Sequence, residues 1–168
     1  LETPNVSNAF FFLLREEFVP PRSKEEAYAD NPLPIGEGQT ISAPSMIAIM
    51  LEVLEVEEGQ KVLEIGTGSG YNAALLAELV GNGGSVYTLE RLESVADTGR
   101  KNLESVSHEE VNVVVGDGTH GYEEEAPWDR ILVTACAPEV PEPLVEQLKV
   151  GGRLVLPVGS SYMAQTLF

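Results

Sequence analysis

The chain is poor in three things: cysteine, basic residues and long apolar runs. A single cysteine, Cys136, rules out an internal disulfide framework and a cysteine-based metal site, and no metal is expected. Ten Lys and Arg stand against 27 Asp and Glu, a formal net charge of −17. A field of that sign repels phosphate backbones and anionic lipid surfaces, which argues against nucleic-acid or membrane binding. The acids are spread along the chain rather than gathered in a tail, and most are Glu, which suits exposed helix positions. No apolar stretch approaches the roughly 20 residues needed to cross a bilayer. No basic-then-apolar leader opens the sequence, which begins at Leu1. A cytoplasmic monomer is the expectation.

What is present is an ordinary globular composition, 168 residues with 43% hydrophobic and 22% charged. That size fits one domain with its own core, so 1–168 is read as a single domain. Residues 9–18, AFFFLLREEF, are expected to form a short helix packed on the body. Residues 19–38 lack an apolar period and read as a long loop, a type of segment that is often mobile or part of a binding surface. Ser42 is placed as the cap of a helix with Pro44 in its first turn, and Ile47, Met50, Leu51 and Leu54 follow at helical spacing. Strands are expected at 61–65, 86–89, 111–115, 130–134 and 153–158, with helices at 72–80, 92–103 and 141–148 between them. Gly99 weakens one of those helices by roughly 1 kcal/mol relative to Ala. Apolar strands alternating with helices give an α/β fold: a doubly wound, mostly parallel sheet with helices on both faces.

The strongest local signal is VLEIGTGSG at 62–70. Gly66, Gly68 and Gly70 follow a strand and precede a helix, which brings a ligand against bare backbone near a helix N-terminus. Glu90, at the end of the next strand, can accept both hydroxyls of a ribose. The dinucleotide pattern G-x-G-x-x-G is not met, because Tyr71 stands where its third glycine belongs and Gly70 comes one residue early, and no G-K-S/T of a P-loop follows. Glu64, just before the first glycine, disfavours a diphosphate and suits a cationic ligand such as the ammonium and sulfonium of S-adenosylmethionine. Asp117, followed by Gly118 after the third strand, reaches the same sheet edge, where it can accept from an adenine amine or simply cap a turn.

Beyond that turn, AYADNPLPIGEGQTISAP at 27–44, GYNAALLAEL at 70–79, GDGTHGYEEEAPWDRILVTACAP at 116–138 and PEPLVEQLKVGGRLVLPVG at 141–159 resemble the protein-L-isoaspartate O-methyltransferases, a family of class I S-adenosylmethionine-dependent methyltransferases. The resemblance covers nearly the whole chain, and GQTISAP is its most specific part. It implies a Rossmann-like fold and methyl transfer from S-adenosyl-L-methionine to the α-carboxylate of L-isoaspartyl residues in damaged proteins and peptides, leaving S-adenosyl-L-homocysteine. The ester then closes to a succinimide and reopens partly as normal aspartate, so the activity is protein repair. Carried over by residue, the resemblance makes Ser42 catalytic and places Thr40 and Ile41 beside it in the active-site strip. Glu64, Gly66, Gly68 and Gly70 match the cradle for the cofactor's methionine side, Glu90 and Arg91 its ribose, and Asp117 and Gly118 its adenine. Pro157, Val158 and Gly159 match the rim near the substrate, and residues 1–45 become a segment that covers substrate and cofactor. Ser45 departs from the pattern, since many members carry His or Tyr there. Family members also continue past the position of Phe168, so truncation at both ends is expected.

The chemistry is consistent with the residues. A substrate carboxylate is ionised at neutral pH and needs no general base, and the sequence offers no histidine at the expected site. His108 and His120 read as loop residues, and Cys136 as a small buried hydrophobe. The other readings are a class I methyltransferase for a different acceptor and a non-catalytic cofactor-binding homologue.

Overall fold

A computed structural model describes residues 2–159 and 166–167. Helix α1 (Pro4–Phe12) begins on Pro4, whose missing N–H falls where a helix leaves donors unpaired. Two 3-10 turns follow, Arg15–Phe18 and Pro21–Glu26. Strands β1 (Leu33–Gly36) and β2 (Gln39–Ile41) form an antiparallel hairpin. Its turn needs left-handed backbone at Gly36, Glu37 and Gly38, and glycine fills two of the three places. Helix α2 (Pro44–Leu54) leads to β3 (Lys61–Ile65), α3 (Tyr71–Val80), β4 (Ser85–Glu90), α4 (Glu93–Ser105), β5 (Asn112–Val115) and β6 (Trp128–Val133). A short α5 (Glu142–Glu146) and β7 (Leu148–Val155) complete the main sheet, and β8 (Pro157–Val158) pairs antiparallel with β9 (Thr166–Leu167).

The main sheet has the order β5-β4-β3-β6-β7, and every pairing in it is parallel. Successive side chains of a strand face opposite ways, and the core divides accordingly. Val62, Leu132 and Val155 join α2 and α3 through Leu51, Leu54, Leu75 and Leu76 on one face. Leu63, Ile131 and Val133 join Trp128 and Leu144 on the other. The chain leaves β3 toward β4 on one side and later returns to β6 on the other, so the sheet changes direction between β3 and β6. Ligands of open α/β sheets bind at the carboxyl ends of the strands beside such a point. This is the doubly wound sheet expected from the sequence, with all five strands found.

Five local expectations are corrected. The helix expected at 9–18 starts earlier and ends at Phe12, because Arg15 leaves the helical path to turn its side chain inward. Residues 19–38 are more ordered than a loop, since Leu33 and Ile41 are buried and pin the hairpin to the body. The strand expected at 153–158 begins at Leu148, where it pairs with Trp128, and this shortens the preceding helix. His108 is buried, with Nε2 3.0 Å from Glu78 and Nδ1 2.8 Å from Glu110, so it clasps α3 to the entry of β5. Cys136 is exposed, its thiol donating to the Gly159 carbonyl.

Candidate active site

The strands deliver their terminal residues to one edge. Glu64 lies near the end of β3, and the Gly66–Gly70 turn joins β3 to α3. Gly66, Gly68 and Gly70 all hold positive φ (100°, 53° and 85°), which an L side chain rarely adopts. A Cβ at Gly66 would lie 2.5 Å from the Thr134 hydroxyl just beyond β6, and one at Gly70 would lie 3.0 Å from the Gly99 carbonyl of α4. Thr134 Oγ1 donates to the carbonyl of Gly66 at 2.9 Å, so the loop after β6 fastens the glycine turn. Sequence reading missed Thr134, although its place at the end of a predicted strand was a usable signal.

Glu90 closes β4. Its Oε2 accepts from the Gly68 N–H and its Oε1 from the Leu92 N–H, both at 3.2 Å. A carboxylate has about four acceptor directions, so two hydroxyls can still be taken. Arg91 beside it is exposed. Asp117 stands beyond β5 with Gly118, and its Oδ1 accepts from the Thr119 backbone and hydroxyl, which is the capping role. Those bonds hold its carboxyl below the usual range, and Oδ2, which makes no hydrogen bond, lies 3.9 Å from His120 Nε2.

The hairpin is the roof. Ile35 Cδ1 comes within 3.5 Å of where a Gly68 Cβ would stand, so the hairpin rests on the glycine turn. Thr40, Ile41 and Ser42 leave it and line a pocket with Glu64, Gly66, Gly68, Tyr71, Asn72 and Thr134. Ser42 does not cap α2. Pro44 takes the first helical position, which makes Ala43 the cap residue, and no side chain caps the helix. The Ser42 hydroxyl faces no competing structural task. Pro157 and Val158 form β8, and Val158 and Gly159 are tied to Ala137 on the loop after β6. The structure thus gathers Ser42, Glu64 and the glycine turn in one pocket, and places Glu90 and Asp117 at neighbouring strand ends.

Glu64 is wholly buried. Thr88 donates to its Oε2 at 2.6 Å, while Oε1 has no partner. Burial pushes its carboxyl up to about 8. Asn72 Oδ1, on the first turn of α3, is a second buried acceptor without a donor. Two unpartnered acceptors in one pocket ask for a ligand that donates hydrogen bonds, and a positively charged one would draw the proton off Glu64. Among the described residues, no cluster of His, Cys, Asp or Glu could hold a metal ion.

A parallel sheet of this order, with a glycine turn after its first strand and an acid ending its second, defines a class I methyltransferase fold. Residues 1–168 match the sequence profile of the family described as Protein-L-isoaspartate(D-aspartate) O-methyltransferase. The chain is 56% identical to the protein-L-isoaspartate O-methyltransferase of Staphylothermus marinus, over 99% of this chain and 77% of that protein. It is 55% identical to the one from Thermococcus onnurineus, over 100% of this chain and 76% of that protein. Among solved structures, a protein-L-isoaspartate O-methyltransferase superposes with a TM-score of 0.84 at 37% identity, covering 93% of this chain and 51% of the other. A putative enzyme of that name from Plasmodium falciparum, in complex with S-adenosyl-L-homocysteine, gives 0.86 at 29% identity over 99% and 81%. The chain belongs to the protein-L-isoaspartate O-methyltransferase family. It is an S-adenosylmethionine-dependent enzyme of protein repair that methylates isoaspartyl residues of damaged proteins.

Proposed function

We propose that this chain holds S-adenosylmethionine over the Gly66–Gly70 turn and that Ser42 aims the α-carboxylate of the isoaspartyl residue. The observation that carries the reading is the pair of buried, unpartnered acceptors, Glu64 Oε1 and Asn72 Oδ1, in the pocket that Ser42 also lines. They fit the ammonium of the cofactor's amino-acid end. Glu90, flanked by Arg91, takes the ribose, and Asp117 with Gly118 takes the adenine. When bound, the cofactor supplies a methyl group already activated on a sulfonium.

The chain then has to orient the acceptor and keep water away. Thr40 and Ile41 carry Ser42 to the pocket on the hairpin, and Ile35 closes the turn from above. The Ser42 hydroxyl donates to one acceptor oxygen and leaves the other free for attack. An ionised carboxylate is its own nucleophile, so no side chain has to remove a proton. Pro157, Val158 and Gly159 form the rim against which the damaged segment lies. Of residues 1–45, the hairpin and the Thr40–Ser42 strip form the cover over both ligands.

The test is Ser42→Ala. Turnover of an isoaspartyl peptide should fall about 10- to 1,000-fold, as for loss of one preorganised donor. Cofactor affinity and Tm should barely move, because Ser42 caps nothing. A lower Tm with an unchanged rate would return Ser42 to a structural role. A peptide with normal aspartate should remain unmethylated in the same assay.

A further inference from the structure

Arg15 is an unusual residue in so acidic a chain, because it is buried, with 1% exposure. Its Nε donates to the Ala27 carbonyl at 2.6 Å and its Nη1 to the Ser42 carbonyl at 2.7 Å. Nη2 is buried with no partner. The guanidinium carbon stands 5.8 Å from the centre of the Tyr71 ring. None of the described ion pairs includes Arg15. Asp30 acts on it only at a distance, and that carboxylate is engaged by the Ser45 N–H at 2.9 Å. A buried cation without a counter-charge is destabilising by several kcal/mol, and a fold keeps one where an anion is to be met or a segment fixed.

Both uses converge on one residue. The two carbonyls that Arg15 grips bracket 27–42, the stretch that includes the hairpin and ends at Ser42. We propose that Arg15 is a positioning residue for the methyl acceptor: it fixes the Ser42 backbone and supplies the positive potential that an arriving carboxylate needs. The inference rests on the reading of Ser42 above. The Tyr71 ring that Arg15 faces lines the same pocket and packs against the rings of Phe10 and Phe18, so the cofactor Kd is the control that separates an effect on the acceptor from one on the cofactor. It touches no reacting atom: it acts on the acceptor by fixing Ser42 and, over a longer range, by its charge.

The experiment is a double-mutant cycle of Arg15→Lys and Ser42→Ala, with kcat/KM for an isoaspartyl peptide and cofactor Kd by calorimetry. Arg15→Lys keeps the charge but loses the two-carbonyl grip, and should lower kcat/KM about tenfold or more, with Kd within about twofold. In the Ser42→Ala background the same change should cost less than about threefold, because the residue it aims is gone. Arg15→Gln, which also removes the charge, should lose more than Arg15→Lys. If Arg15→Lys melts below the assay temperature, the whole cycle is run at a lower temperature at which that variant stays folded. Equal losses in both backgrounds, or Kd weakened as much as kcat/KM, would overturn the proposal. A Ser42→Ala enzyme with wild-type kcat/KM overturns the Ser42 reading itself. The two failures are distinct, since only the first leaves Ser42→Ala impaired.

Discussion

Glu64 is a wholly buried carboxyl with one oxygen unpartnered, and its ionisation costs the fold stability. Its carboxyl has an ordinary value of 4.5, and burial pushes it up to about 8, with Glu90 adding to the rise against the Thr88 hydrogen bond. Between those values the folded chain holds a proton that the unfolded chain releases. Its contribution is therefore complete below about pH 4.5 and declines as pH climbs toward 8. Glu64→Gln keeps the shape and stays neutral at every pH. Its Tm without cofactor should gain on the wild type between pH 5 and pH 8.5 by at least about 3 °C, since 1 kcal/mol moves Tm by about 2–4 °C at this size. The same substitution should weaken S-adenosylmethionine binding, because a neutral amide cannot balance an ammonium. A Tm difference that is flat with pH would show that Glu64 ionises freely in the fold. Glu90 offers a contrast, since its carboxylate is clasped by two backbone N–H groups. Glu90→Ala should reduce cofactor affinity by about 1.5–3 kcal/mol in calorimetry, and unchanged binding would place the ribose elsewhere.

At the level of elements, α4 and the glycine turn are fitted to each other through Gly99. By helix propensity alone, Gly99→Ala should stabilise α4 by roughly 1 kcal/mol. The structure reverses that expectation. An added Cβ would lie 2.8 Å from Thr67 Cγ2 and 3.2 Å from the Gly68 carbonyl, both in the turn. Thr67 cannot swing away, because its hydroxyl bonds that of Thr88, which in turn bonds Glu64. Gly99→Ala should therefore lower Tm by several degrees and weaken cofactor binding about tenfold or more, the range of overpacked sites. A more stable variant with intact binding would show that α4 can shift. The case also marks what the sequence could show. The five strands and the turn were legible because alternation of apolar runs, helices and glycines is local information. The hairpin was not, because Pro34, Gly36 and Gly38 mask the alternation, and only Leu33 and Ile41 packing on the body reveals it. The resemblance through GQTISAP pointed to Ser42, which lines the pocket, whereas the expected cap fails because Pro44 moves the helix start by one residue. The roles of Arg15 and Thr134 depend on partners distant in sequence, Ser42 and Gly66, which no local pattern links.

The whole molecule presents a long-range obstacle to its own substrate. It carries −17, and the group it must capture is a carboxylate. Coulomb repulsion between the two acts over distances that salt shortens, with a Debye length of about 30 Å at 0.01 M and about 8 Å at 0.15 M. In the proposed site, the buried guanidinium of Arg15 and the half-buried Ser42 act only at short range, where salt screens little. Added salt should therefore remove the opposing field while sparing the local attraction. For a neutral or acidic isoaspartyl peptide, kcat/KM should rise a few-fold, roughly, between 0.01 and 0.2 M salt, through faster encounter. A peptide with several lysines beside the isoaspartate should show the opposite slope, since the same field draws it in. The measurement is methyl transfer at subsaturating peptide across ionic strength, with kcat at saturation as the control. If the neutral peptide slows with salt as the basic one does, the capture of the carboxylate is governed by an exposed positive patch near the rim, and the acidic surface plays no part in encounter.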